Sequence, residues 1–109
     1  MFLFGKKANF NKVSMKEAGQ LLQADPSILL LDVRTPDEFR GGHIPGSVNL
    51  ALDRISQIGQ LAPEPNRRIF VYCHSGARSR TACTQLARAG YTDITDMGGI
   101  IAWPGETVR

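Results

Sequence analysis

Cysteine is scarce in this chain, with two among 109 residues, at positions 73 and 83. A pair so spaced builds no disulfide framework. A bridge between them would have to span roughly two helical turns, more than the Cα separation of about 7 Å that a disulfide tolerates. Both are therefore expected to be reduced, which fits a cytoplasmic placement. No C-x2-C or H-x3-H pair occurs, so the usual zinc arrangements are excluded and no metal site is expected. No stretch approaches the roughly 18 apolar residues of a membrane span. Met1-Phe2-Leu3-Phe4 is too short for a signal-peptide core, and its charges, Lys6 and Lys7, follow rather than precede it. Positive charge exceeds negative by only three. With the basic residues scattered and no basic-aromatic platform, neither nucleic acid nor a membrane is an expected partner. Internal repeats, linkers and low-complexity tracts are also lacking. The chain reads as one domain over residues 1–109, with 1–8 a flexible N-terminal segment.

What is present alternates. Asn9 to Val13 suits a short strand, and Ser14 followed by Glu17 has capping-box spacing for a helix with Met15, Ala18, Leu21 and Leu22 on one face. Asp25-Pro26 closes that helix. Ile28 to Val33 is an apolar run interrupted only by Asp32, the pattern of a strand covered on both faces of a parallel sheet. Thr35 can cap a helical turn that has Pro36 at its first position. Turn residues flank His43, and Ser47 to Leu50 reads as a strand. Leu52, Ile55, Ile58 and Leu61 recur at helical spacing. Arg68 to Tyr72 is a buried strand, Arg80 to Ala89 a helix stopped by Gly90, and Tyr91 to Asp96 the last strand. Gly98-Gly99 opens a short terminal helix through Trp103. The alternation predicts an α/β fold, a parallel sheet of about five strands with helices on both faces. Its ligand sites are expected at the carboxyl ends of the strands.

Cys73 lies at one such end. The segment Val71-Tyr72-Cys73-His74-Ser75-Gly76-Ala77-Arg78-Ser79-Arg80 carries it from a strand into a helix. Backbone N–H groups of such a turn can point inward, and the unpaired donors of the helix N-terminus add positive potential. Both favour a thiolate over a thiol, which makes Cys73 the candidate nucleophile. Gly76 supplies a conformation that only glycine reaches cheaply. Ser79 reads as a helix cap. Arg78 either meets substrate anions or pairs with an acidic neighbour such as Asp32 to fix the loop's shape. His74 is expected at the substrate or in solvent. Cys83, within the helix beside Ala82, Leu86 and Ala87, reads as a small hydrophobe. His43 reads as a structural histidine closing a turn, and Trp103 as core packing.

Four pieces, in order, resemble the rhodanese (thiosulfate sulfurtransferase) family in its single-domain form. They are Leu29 to Phe39, Gly42 to Leu50, the Cys73–Arg78 loop and Gly98 to Trp103. One departure is visible, His74 where many family loops carry an arginine. The resemblance implies a rhodanese-type thiosulfate sulfurtransferase that moves a sulfane sulfur from thiosulfate or a related persulfide, through a Cys73 persulfide, to a thiophilic acceptor such as cyanide or a thiol. The backbone amides of His74, Ser75, Gly76, Ala77, Arg78 and Ser79 would surround that sulfur, with Asp32, Arg34 and Glu38 as supports. No metal or organic cofactor is called for. Partners would be small anionic sulfur donors, thiophilic acceptors and a protein persulfide donor or acceptor.

Two other classes compete. One is a cysteine-loop phosphatase or arsenate reductase. Those phosphatases place five residues between cysteine and arginine, whereas four separate Cys73 from Arg78. Asp53 and Asp96 are its candidate general acids. The other is a non-catalytic module of the same fold, for which a complete loop with a nucleophile has no use.

Overall fold

A computed structural model describes residues 9–109. The expected N-terminal segment 1–8 lies outside the described residues. The elements are β1 (Asn11–Lys12), α1 (Met15–Ala24), β2 (Leu29–Asp32), α2 (Pro36–Gly41), β3 (Val48–Asn49), a 3-10 helix (Leu52–Gln60), β4 (Ile69–Cys73), α3 (Ala77–Arg88), β5 (Ile94–Gly99) and a 3-10 turn (Ile100–Ala102). All strand pairs are parallel, in the order β1-β5-β4-β2-β3. The expected five-stranded α/β sheet is therefore present, with β4 at its centre.

The pleat sorts β2 and β4 by parity. Leu29, Leu31, Val33, Ile69, Val71 and Cys73 join the core beneath α3 and the 3-10 helix. Ile28, Leu30, Phe70 and Tyr72 join the core beneath α1 and Trp103. Every residue of β2 and β4 is buried, the consequence of a sheet covered on both faces. Parity also puts Cys73 on the α3 face and Tyr72 on the α1 face.

Three expectations change. The segment from Leu52 winds as a 3-10 helix, because its apolar residues recur every third position and so line one face at three residues per turn. Helix α3 begins at Ala77, three residues before the apolar periodicity starts, because the cysteine loop feeds it directly. Strand β5 starts later and runs on to Gly99. A bulge at Met97 lets Tyr72 pair with Gly98 and Cys73 with Gly99.

Candidate active site

Cys73 ends β4 at the carboxyl edge of the sheet, 1% exposed. Gly76, at φ +113°, is the left-handed N-cap of α3. That turn aims its N–H at the Cys73 Sγ, 3.0 Å away. A side chain at 76 would be strained, since L residues avoid this conformation. The loop rests on the end of β5. A Cβ on Gly99 would lie 2.5 Å from the Ser75 Cα and closer still to the His74 carbonyl. Only glycine lets the loop sit this low. The Ile101 N–H donates to the His74 carbonyl (3.3 Å) and closes the contact.

Arg78 does not pair with Asp32. Its guanidinium donates to both oxygens of Glu38, at 2.7 and 2.9 Å, a bidentate fork. Glu38 is also the third residue of α2, where it completes a capping box with Thr35. The arginine's hydrogen bonds, followed by those from Thr35, pull the Glu38 carboxyl down to about 2 against its desolvation. Arg78 is raised in turn, chiefly by its bonds to Glu38. Asp32 faces the other way for a geometric reason. It pairs in register with Tyr72 and shares its α1-facing side.

There Asp32 holds Arg34 through four hydrogen bonds of 2.8–3.1 Å, and the Arg34 guanidinium lies over the Tyr72 ring. Burial opposes the charge on Arg34, but the Asp32 contacts outweigh it and the pKa rises. Arg34 also donates to the Gly42 carbonyl (2.8 Å). Tyr72, pushed up to about 12 mainly by burial, stays a neutral phenol bonded to the Ile44 N–H and to Ser47. Asp32 and Arg34 thus brace the segment after β2, on the opposite face of the sheet from the Cys73 side chain.

Ser79 is not a cap. It lies in the first turn of α3, with its hydroxyl 3.0 Å from the Gly76 carbonyl and 2.8 Å from Asp96 Oδ1. Asp96 is fully buried and also accepts from the Gly98 N–H (2.9 Å). It ties the start of α3 to the bulged end of β5, the two walls of the loop. The sequence carried a faint signal for this in an aspartate set among apolar strand residues before Gly98-Gly99. Locked in this way, Asp96 is poorly placed to deliver a proton as a mobile general acid.

The family model for the rhodanese-like domain fits residues 14–106. The chain belongs to the rhodanese-like family. A sulfurtransferase of Allochromatium vinosum is 37% identical over 94 residues, covering 85% of this chain and 87% of the relative. A thiosulfate sulfurtransferase of Escherichia coli is 34% identical over 77 residues, covering 68% and 74%. Among solved structures, a thiosulfate sulfurtransferase from Pseudomonas aeruginosa superposes with a TM-score of 0.82 at 25% identity, over 92% of this chain and 20% of that much longer one.

Beyond its loop, this rhodanese-like domain holds a second cysteine in the same core as Cys73. Cys83 is buried in α3, and its thiol is pushed up, chiefly by burial. His43 stacks on Phe39 with ring centroids 3.6 Å apart, and its Nδ1 lies 2.8 Å from the Phe39 carbonyl. It closes the turn as expected. Trp103 packs on Gly19 of α1. Among the described residues, no three His, Cys, Asp or Glu side chains gather as a metal site, and no helix is long and apolar enough to cross a membrane. His74 is exposed beside the cysteine. A groove of about 630 Å3 starts at Arg78 and runs between the 3-10 helix and α3 as far as Gln85. Sequence reading missed this groove, because its walls come from segments distant along the chain.

Proposed function

We infer that this protein is a sulfurtransferase that carries sulfane sulfur as a persulfide on Cys73. One observation carries the reading: the Gly76 N–H points at Sγ inside a loop whose shape is clamped by Glu38, Asp96 and Gly99. The thiolate attacks the outer sulfur of a donor, one S–S bond forms as another breaks, and the donor's remaining fragment leaves with the electron pair. The loop amides stabilise negative charge on the terminal sulfur. A thiophilic acceptor such as cyanide, sulfite or a thiol then takes that sulfur and returns Cys73 to the thiolate. Splitting the transfer in two lowers each barrier. The named sulfurtransferases among the relatives support this class of reaction.

Intact mass spectrometry after exposure to a sulfane donor tests it. Wild-type protein should gain one sulfur atom, and Cys73→Ser should gain none while keeping its melting temperature. Thiocyanate production should vanish in the serine variant. Substantial turnover by that variant would refute the assignment.

A further inference from the structure

The groove beside the loop does not suit an inorganic donor. Its 630 Å3 falls in the size range of small-molecule sites, far more space than thiosulfate fills. Pro36, Ala51, Leu52 and Ile55 give it apolar walls, and Asp53 and Gln85 are among its polar lining. From Arg78 to Gln85 it runs seven residues along α3, about 10 Å. Ile55 belongs to the same core as Cys73, and Leu52 packs against that core, so groove and nucleophile share one face of the sheet.

The charges around it point the same way. Arg78, at the mouth of the groove, is neutralised by Glu38. Asp53 is exposed and makes no ion pair among the described residues. Of the two charged residues that line the groove, Asp53 is thus the one without an ionic partner among the described residues. Attack on thiosulfate would gather three negative charges beside it, the thiolate and a dianion. An organic persulfide brings none of that dianion charge, and an amine on its organic part would be attracted to Asp53.

We propose that this groove binds an organic persulfide, R–S–SH, whose R group lies along the apolar wall with a cationic amine at Asp53, and that such donors load Cys73 in preference to thiosulfate. The proposal rests on the sulfurtransferase reading. The step balances as Cys–S⁻ + R–S–SH → Cys–S–SH + R–S⁻. The bond between the donor's two sulfurs breaks, the Cys73 sulfur bonds to the outer one, the proton stays on that outer sulfur, and the thiolate R–S⁻ leaves with the electron pair. Asp53 is the specificity residue and takes no part in the bond changes.

The test measures the rate of sulfur loading on Cys73 of the full chain by intact mass spectrometry. The donors are cysteamine persulfide (cationic), 3-mercaptopropionate persulfide (anionic) and thiosulfate. Cysteamine persulfide should load fastest and thiosulfate at least tenfold more slowly. Asp53→Asn should cut the cationic-to-anionic rate ratio at least threefold, and added salt should do the same to the wild type. Ser56→Trp, an exposed position on the groove wall, should slow both organic donors about tenfold and leave thiosulfate within twofold. Should that variant fold poorly, protection of the wild type by 2-(methylthio)ethylamine, which lacks the outer sulfur, gives the same information. Thiosulfate loading as fast as cysteamine persulfide, or a ratio unmoved by Asp53→Asn, overturns the proposal and leaves sulfur transfer standing. Failure of every donor to load Cys73 overturns both.

Discussion

Replacing Glu38 by glutamine removes one charge from the clamp on Arg78 while a side chain able to complete the capping box with Thr35 remains. A carboxyl held at about 2 against an ordinary 4.5 corresponds to an unscreened ceiling of about 3.4 kcal/mol at 1.36 kcal/mol per pH unit. Both side chains are about a third exposed, 35% and 34%, so solvent screening reduces the expected loss to about 1 kcal/mol. For a domain of this size that lowers Tm by about 4–8 °C. The pH dependence has a definite sign. The folded carboxyl titrates below the unfolded one, so its stabilisation is fully present above pH 4.5 and disappears as pH falls through 2. Urea denaturation of wild type and Glu38→Gln at pH 7, 5 and 3 should give a difference in midpoint that is constant between 7 and 5 and shrinks by 3. Sulfur loading at pH 7 should fall as well, because the last residue of the loop loses its clamp. Equal stability at pH 7, or a difference that does not change with pH, would show that the Arg78 fork is not what holds the loop.

Three further outcomes are expected. Cys83→Ala should keep full sulfur loading and lose about 1 kcal/mol of stability, since it removes a small buried group; a loss of loading in this variant would give Cys83 a role in transfer. Gly99→Ala forces a Cβ into the backbone of His74 and Ser75, so thermal melting should show a loss of about 1–3 kcal/mol, and loading should fall at least tenfold. Activity within twofold of wild type would mean that the loop does not depend on this floor. A glycine inserted after Gly76 widens the ring between Cys73 and Arg78. Sulfur transfer should weaken, and parallel kinetics with an aryl phosphate should show negligible hydrolysis by the wild type; efficient hydrolysis there would reopen the phosphatase reading.

The sequence by itself determined the alternation of strands and helices and singled out Cys73 as the candidate nucleophile. Apolar runs at Ile28–Leu31 and Ile69–Tyr72 are satisfied by strands covered on both faces, and a cysteine following such a run before a Gly-Ala-Arg-Ser turn has few other uses. Local chemistry was equally legible. Ser14 and Thr35 cap their helices as expected, and Gly90 adopts its left-handed turn. These features depend on neighbours within about four residues, which a linear reading sees directly. Partners across the sheet were another matter. Whether Arg78 met Asp32 or Glu38 depended on which way the pleat turned Asp32, and strand parity sent it to the α1 face with Tyr72. That Ser79 would bond to Asp96 depended on a bulge at Met97, which shifts the register of the last strand residues. The groove from Arg78 to Gln85 required α3 and the 3-10 helix to lie side by side. Each of these is a contact between residues far apart along the chain, decided by how the layers dock, and docking is a property of the whole packed sheet rather than of any segment in it.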